Sequence, residues 1–120
     1  MPLVTAQQRI RHLKKARDAA KAIKERIDRR NRTEIDPDVV AAREPTRQRA
    51  VSLVQDVEEM LDDLGAAQKV VTVDTAGLEN LQRLAGKLDT AITGDAFLNL
   101  GIDTLTQVLN DAASVKDALG

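Results

Sequence analysis

The chain has 120 residues, of which 18 are Lys or Arg and 19 are Asp or Glu, for a formal net charge of -1. It has no Cys, one His and one aromatic residue, Phe97. This excludes disulfides, thiolate metal sites and the usual zinc ligand sets, and it almost closes off stacking on bases or sugars. The charge is sorted along the chain: residues 1–50 hold 14 Lys/Arg and 7 Asp/Glu, residues 51–120 hold 4 and 12, so the near-neutral total hides a +7 half and a -8 half.

At the N-terminus, Met1 to Thr5 shows no basic stretch followed by an apolar run. No segment approaches the roughly 18 uninterrupted apolar residues of a membrane span. The expected address is the cytoplasm, with no membrane partner. The first helix is predicted to start at Thr5, whose hydroxyl can cap while Gln8, three residues on, bonds back: the capping-box spacing. It runs to about Arg30. Ala6, Leu13, Ala20 and Ile27 recur every seven residues, Ala16 and Ile23 fill the second seam position, and Ile10 widens the stripe. The stripe is thin and rich in alanine. Glu25 with Arg29 and Asp28 with Arg32 stand at i, i+4 and offer local support, so the helix either packs as a bundle member or projects as an arm.

Asp36, Pro37 and Asp38 make the clearest helix start: a cap, a residue with fixed φ and an acid in the positive first turn. Pro45 follows eight residues later, where its ring clashes with the carbonyl of Ala41, so a kink or a restart is expected there. Beyond it, Ala50, Leu53, Val54, Val57, Met60, Leu61 and Leu64 form a broad apolar face, with Gly65 placed as a C-terminal cap. Val70, Val71 and Val73 with Thr72 favour an extended path, but no other strand is evident, so this stretch reads as a connector. Asp74 or Thr75 then caps a third helix with Leu78, Ala85 and Ile92 alternating with Leu81 and Leu88 until Gly94. Asp95 caps a fourth, in which Leu98, Leu105, Ala112 and Leu119 repeat every seven residues. Val108 and Val115 take its second seam position, flanked by Ile102 and Leu109. Gly101 on that face either admits a close helix neighbour or breaks the helix and makes Asp103 a second cap.

These elements predict an all-α protein: a three- to four-helix bundle with a long basic N-terminal helix. Its organisation is residues 1–35 as the basic helix or arm and 36–120 as the acidic bundle core. From residue 51 onward, Val, Ile, Leu, Met and Phe account for 24 of 70 residues, against 9 of 50 before it with Met1 left out. The core is therefore expected mainly in the second part.

Two charged surfaces carry the functional reading. The first helix presents Arg9, Arg11, Lys14, Lys15, Arg17, Lys21, Lys24, Arg26, Arg29 and Arg30, with Arg32 just beyond, opposed only by Asp18, Glu25 and Asp28. Such density either meets acids on a neighbouring helix or neutralises phosphates without reading bases. The acids stand ready at Asp56, Glu59 and Asp63 beside the seam of the second helix, with Glu58 and Asp62 next to them. A basic-to-acidic contact is preferred over self-pairing of the basic helix, and repeated between chains it is head-to-tail. The seam residues Leu98, Leu105, Val108 and Leu119 of the fourth helix offer a further apolar interface.

Other features point to no chemistry. The segment Asp74-Thr75-Ala76-Gly77 is similar to the magnesium and γ-phosphate switch of small GTPases, yet the first glycine is Gly65 and no Gly-Lys-Ser/Thr phosphate loop exists, so Asp74 and Thr75 are assigned to capping. His12 lacks a Ser or Cys partner at a recognisable spacing and is expected solvated among cations that lower its pKa. The acids from Asp56 to Asp63 lack the Asp/Asn-rich loop with a central Gly that calcium loops need. No catalytic residue, metal or cofactor is assigned. The sequence points to a non-enzymatic interaction protein: a small subunit, adaptor or assembly factor, partnered by copies of itself as a homo-oligomer or by a larger protein. Nucleic acid is the second choice of partner.

Overall fold

The structure is a computed structural model that describes residues 3–67, 71–72, 75–93 and 101–119. Its elements, in chain order, are β1 (Leu3–Val4), α1 (Ala6–Asn31), α2 (Pro37–Ala67), β2 (Val71–Thr72), α3 (Thr75–Thr93) and α4 (Ile102–Leu119). Among the described residues the protein is an all-α bundle of four helices.

Helix α1 begins as its sequence dictates. Thr5 Oγ1 accepts from Gln8 N–H at 3.2 Å while the Gln8 carboxamide oxygen accepts from Thr5 N–H at 3.1 Å, closing the capping box. Asp36 likewise starts α2, its carboxylate accepting from the Asp38 N–H at 2.9 Å. The helix neither breaks nor restarts at Pro45 but runs unbroken through it. Pro45 and Ala41 both face solvent, so the carbonyl that loses its donor lies where water can serve it. It also passes through Gly65 to Ala67, so Gly65 does not act as a cap.

Contacts along the helices fix their directions. Asp28 pairs with Arg47 and Asn31 with Arg43, so α2 runs antiparallel to α1. Arg9 reaches Leu119, so α4 also opposes α1. Thr46 meets Thr106 and Arg49 meets Asn110, which makes α2 and α4 parallel. Lys15 on Asp89 and Lys87 on Asp111 place α3 beside α1 and α4, and the pairing of Leu3–Val4 with Val71–Thr72 starts α3 at the end where α1 starts, so the order is up-down-up-down.

The basic helix does not project: α1 touches all three other helices. Leu13, Ala16, Ala19, Ala20 and Ile23 are fully buried, and Ile27 nearly so. The alanines that make its apolar stripe look thin are what let α2 and α4 approach, because interhelical distance follows the size of the side chains at the contact. Of the two expected alternatives for α1, bundle member or arm, the packing is that of a bundle member. α2 adds Ala50, Leu53 and Val57 to the core, α3 adds Leu81, Leu84, Ala85 and Leu88, and α4 adds Leu105, Val108, Leu109, Ala112, Val115 and Leu119.

The valine-rich connector does find a partner. Leu3 pairs with Thr72 and Val4 with Val71 in a two-residue antiparallel ladder, with Val4 fully buried. The signal missed in the sequence is Leu3-Val4 itself, too short to read as a strand but sufficient once α1 places it beside Val71. At the start of α4, Gly101 is the residue before the first helical turn, its carbonyl accepting from Leu105 N–H at 3.0 Å. A Cβ built there meets nothing within 4 Å, so close helix approach is not its role. The proposed caps Asp74 and Asp95 and the stop at Gly94 lie outside the described residues.

Candidate interaction surface

The cations of α1 separate into three groups by what surrounds them. Arg9 and Arg26 are buried, at 6 % and 8 % exposure, and are not surface charges. Arg9 donates from Nε and Nη2 to the Leu119 carbonyl, at 2.8 and 2.5 Å. It thereby satisfies an end carbonyl of α4 and places a positive charge at that helix's negative pole.

A second group is spent on ion pairs, though not with the acids the sequence suggested. Lys15 reaches Asp89 of α3 at 3.1 Å, and Arg17 folds onto its neighbour Asp18 at 3.1 Å. Lys24 binds Asp28 at 2.8 Å, and the same carboxylate receives Arg47 Nε of α2 at 2.6 Å. At this point of the α1–α2 contact the polarity is the reverse of the expected one, with an acid on the basic helix and an arginine on the acidic one, while further along Lys21 and Lys24 share a groove with Glu58. The reason is register: in an antiparallel pair, Asp28 falls opposite Arg47, while Asp56 falls beside Lys116 of α4 at 3.6 Å. The two cations hold the Asp28 carboxyl below its ordinary pKa, hydrogen bonds from Lys24 and Arg47 being the main cause. Asp28 does not pair with Arg32, nor Glu25 with Arg29.

The third group is exposed. Arg11, Lys14, Lys21, Arg29 and Arg32 face solvent and make no ion pair among the described residues, with Asp18 and Glu25 interspersed. Arg30 is exposed beside them. On α2, Glu58, Glu59 and Asp62 are exposed and also make no ion pair among the described residues. The Asp63 side chain and Leu98 lie outside the described residues. Leu105, Val108 and Leu119 are 3 %, 7 % and 0 % exposed, so they belong to the chain's own core and offer no outward apolar interface.

Residues that the sequence reading passed over lie at the end of the bundle where α1 turns into α2. A cavity of ≈ 250 Å³ opens there. Its apolar wall comes from Ile27, Val39, Ala42, Ile102 and Leu105. Arg26, Arg30 and Arg43 stand around it. Burial first, then Arg30, Arg29 and Arg43, lowers the pKa of Arg26. Arg43 is held by Glu34 at 3.6 Å and by the Asn31 carboxamide oxygen at 3.0 Å. Next to the cavity, Ile35 in the turn is 96 % exposed, the one large hydrophobic so exposed among the described residues. A lone isoleucine in a polar turn has no periodic pattern to mark it, and Arg43 precedes a proline that draws the eye to a helix break.

His12 is half-buried rather than solvated. Burial, then Lys15 and Arg11, lower its pKa, and its Nδ1 is enclosed without a hydrogen-bond partner among the described residues. Among those residues no group of three or more His, Asp or Glu side chains could hold a metal ion, and no helix is long and apolar enough to cross a membrane. Comparison with protein-family models, curated proteins and solved structures finds no match.

Proposed function

We propose that the chain is a non-enzymatic helical interaction protein, a small subunit or assembly factor that joins copies of itself through charge-complementary contacts. One observation carries this reading: the complementary charge is left unspent by the fold. Four cations on the outer face of α1, Arg32 just beyond its end and three acids on α2 stay exposed and without ion pairs among the described residues. Exposed charges of opposite sign attract between copies, and the contact selects orientation as well as partner. The interspersed Asp18 and Glu25 favour a protein partner over a phosphate backbone, which gains most from an unbroken positive track.

The test is size-exclusion chromatography with light scattering and refractive index, recorded at 260 nm in low and high salt. A discrete multiple of 13.1 kDa that dissociates in high salt is the expected result. Reversing Arg11, Lys14 and Lys21 to Glu should weaken that assembly, and adding Glu58, Glu59 and Asp62 to Lys in the same chain should restore it. A salt-removable peak at 260 nm would instead assign the basic face to nucleic acid.

A further inference from the structure

Resting on the self-association just proposed, we infer that the turn between α1 and α2 is a reciprocal docking device: Ile35 of one copy enters the arginine-rimmed cavity of a second copy, and the second returns the contact.

The turn is built to hold Ile35 out. The Thr33 N–H donates to the Arg30 carbonyl at 3.3 Å and the Glu34 N–H to the Asn31 carbonyl at 3.4 Å, closing the end of α1. Glu34 then turns its carboxylate back, accepting from the Asp36 N–H at 3.1 Å and pairing with Arg43. Asp36 caps α2. With its neighbours on both sides committed to the backbone, Ile35 is left in solvent at 96 % exposure. An apolar side chain presented on an ordered turn loses little conformational freedom on binding, which is the property of an anchor residue.

Knob and hole match in chemistry. Ile35 is apolar and sits beside the exposed Asp36 and Asp38; the cavity has an apolar floor of Ile27, Ile102 and Leu105 and is flanked by the positive charges of Arg26 and Arg30, while Arg43 stays with Glu34 of its own chain. An aliphatic group flanked by acidic residues suits an apolar cavity whose surroundings carry positive charge, since opposite charges across an interface attract and fix orientation. Both features occupy the same pole of one molecule. A twofold axis between two such poles brings each Ile35 to the other's cavity, and an isologous contact of this kind closes on itself. The molecule measures 52 × 26 × 19 Å, so a pole-to-pole contact spans little more than the narrow cross-section. That places it at the small end of specific interfaces, below about 1,200 Å² in total, and makes the contact a concentration-dependent one.

The experiment is sedimentation equilibrium of the wild-type chain, Ile35→Ser and Ala42→Met over a concentration series in low salt, together with methyl NMR of Ile and Ala residues on dilution. Ala42 is exposed at the cavity wall, so Met there fills the cavity while leaving the core and the turn as they are. Both variants should weaken self-association by about tenfold or more, as loss of a central anchor does. The Ile35, Ala42 and Ile102 methyl signals should shift together with dilution. Assembly that persists unchanged in both variants would overturn the docking device while leaving the charge-driven reading standing. A monomer at every concentration would overturn both. Methyl shifts at Ala42 and Ile102 with an added aliphatic carboxylate, but none on dilution, would give the cavity to a small amphipathic anion and overturn the inference.

Discussion

Arg9 and Leu119 stand 110 positions apart in the chain, yet the buried guanidinium of the first donates two hydrogen bonds to the carbonyl of the second. This fastens the start of α1 to the end of α4. Replacing Arg9 with Ala leaves that carbonyl without its donor in a buried setting, and the expected loss of stability is about 1.5–3 kcal/mol, the range for hydrogen bonds involving a charged group. Arg9→Lys should recover only part of it, because an ammonium cannot reproduce the planar two-point contact. Urea unfolding followed by far-ultraviolet circular dichroism measures both, the chain having no Trp or Tyr to report.

The fully buried Ala20 sits where α1 meets its neighbours. Ala20→Leu should destabilise by about 1–3 kcal/mol or more through overpacking, although it raises the hydrophobicity of the stripe and improves its sequence pattern. A higher urea midpoint for this variant would mean that α1 is not closely packed.

Gly86 is exposed within α3, and a Cβ added there meets nothing within 4 Å. Gly86→Ala should therefore stabilise by about 0.5–1 kcal/mol, through lower entropy of the unfolded chain and better helix propensity. The check is a rise in the midpoint of thermal unfolding.

The lowered pKa of His12 means that the folded chain binds this proton less readily than the unfolded one. Its contribution to stability is complete above the ordinary value of 6.5 and is lost as pH falls through that value toward the lower folded one. Stability should decline as pH drops from about 7.5 to about 5.5, and His12→Gln should flatten the decline.

Asp28 acts in a separate, more acidic window. Its folded pKa lies below the ordinary 3.8, so its contribution is present above 3.8 and is lost as pH falls further. In a double-mutant cycle with Asp28→Asn and Arg47→Gln, the two changes should cost less together than the sum of each alone, and the coupling should shrink in high salt.

Much of this fold is legible in the sequence because its signals are local. Thr5 with Gln8 and Asp36 with Pro37 set two helix starts within four residues each, and the seven-residue repeats of Leu105, Ala112 and Leu119 mark a face whatever it packs against. What escapes is set by register between helices. That Asp28 meets Arg47, and Asp56 meets Lys116, follows from how the helices lie alongside one another, which the charge pattern of a single helix does not contain. The same holds for α1: alanine at positions 16, 19 and 20 reads as weak amphipathicity in isolation and as close packing only once α2 and α4 are in place. Of the surface, the exposure of Lys14 and Lys21 follows from the helical pattern, but the burial of Arg9 and Arg26 does not. The cavity beside Ile35 joins residues from three helices and has no sequence signature.

The placement of α1 at the centre bears on the order of events during synthesis. This helix leaves the ribosome before the other three, but Arg9 lacks its Leu119 acceptor and part of the alanine stripe lacks cover until α4 follows. At roughly 5–20 residues per second, that wait is on the order of ten seconds. The α1–α2 hairpin can form within it, held by Asp28 and Arg47, as a half-finished bundle with one side open. The helix made before its three neighbours is therefore among the last to be sealed, and a break in translation before Leu119 would leave its side of the core exposed.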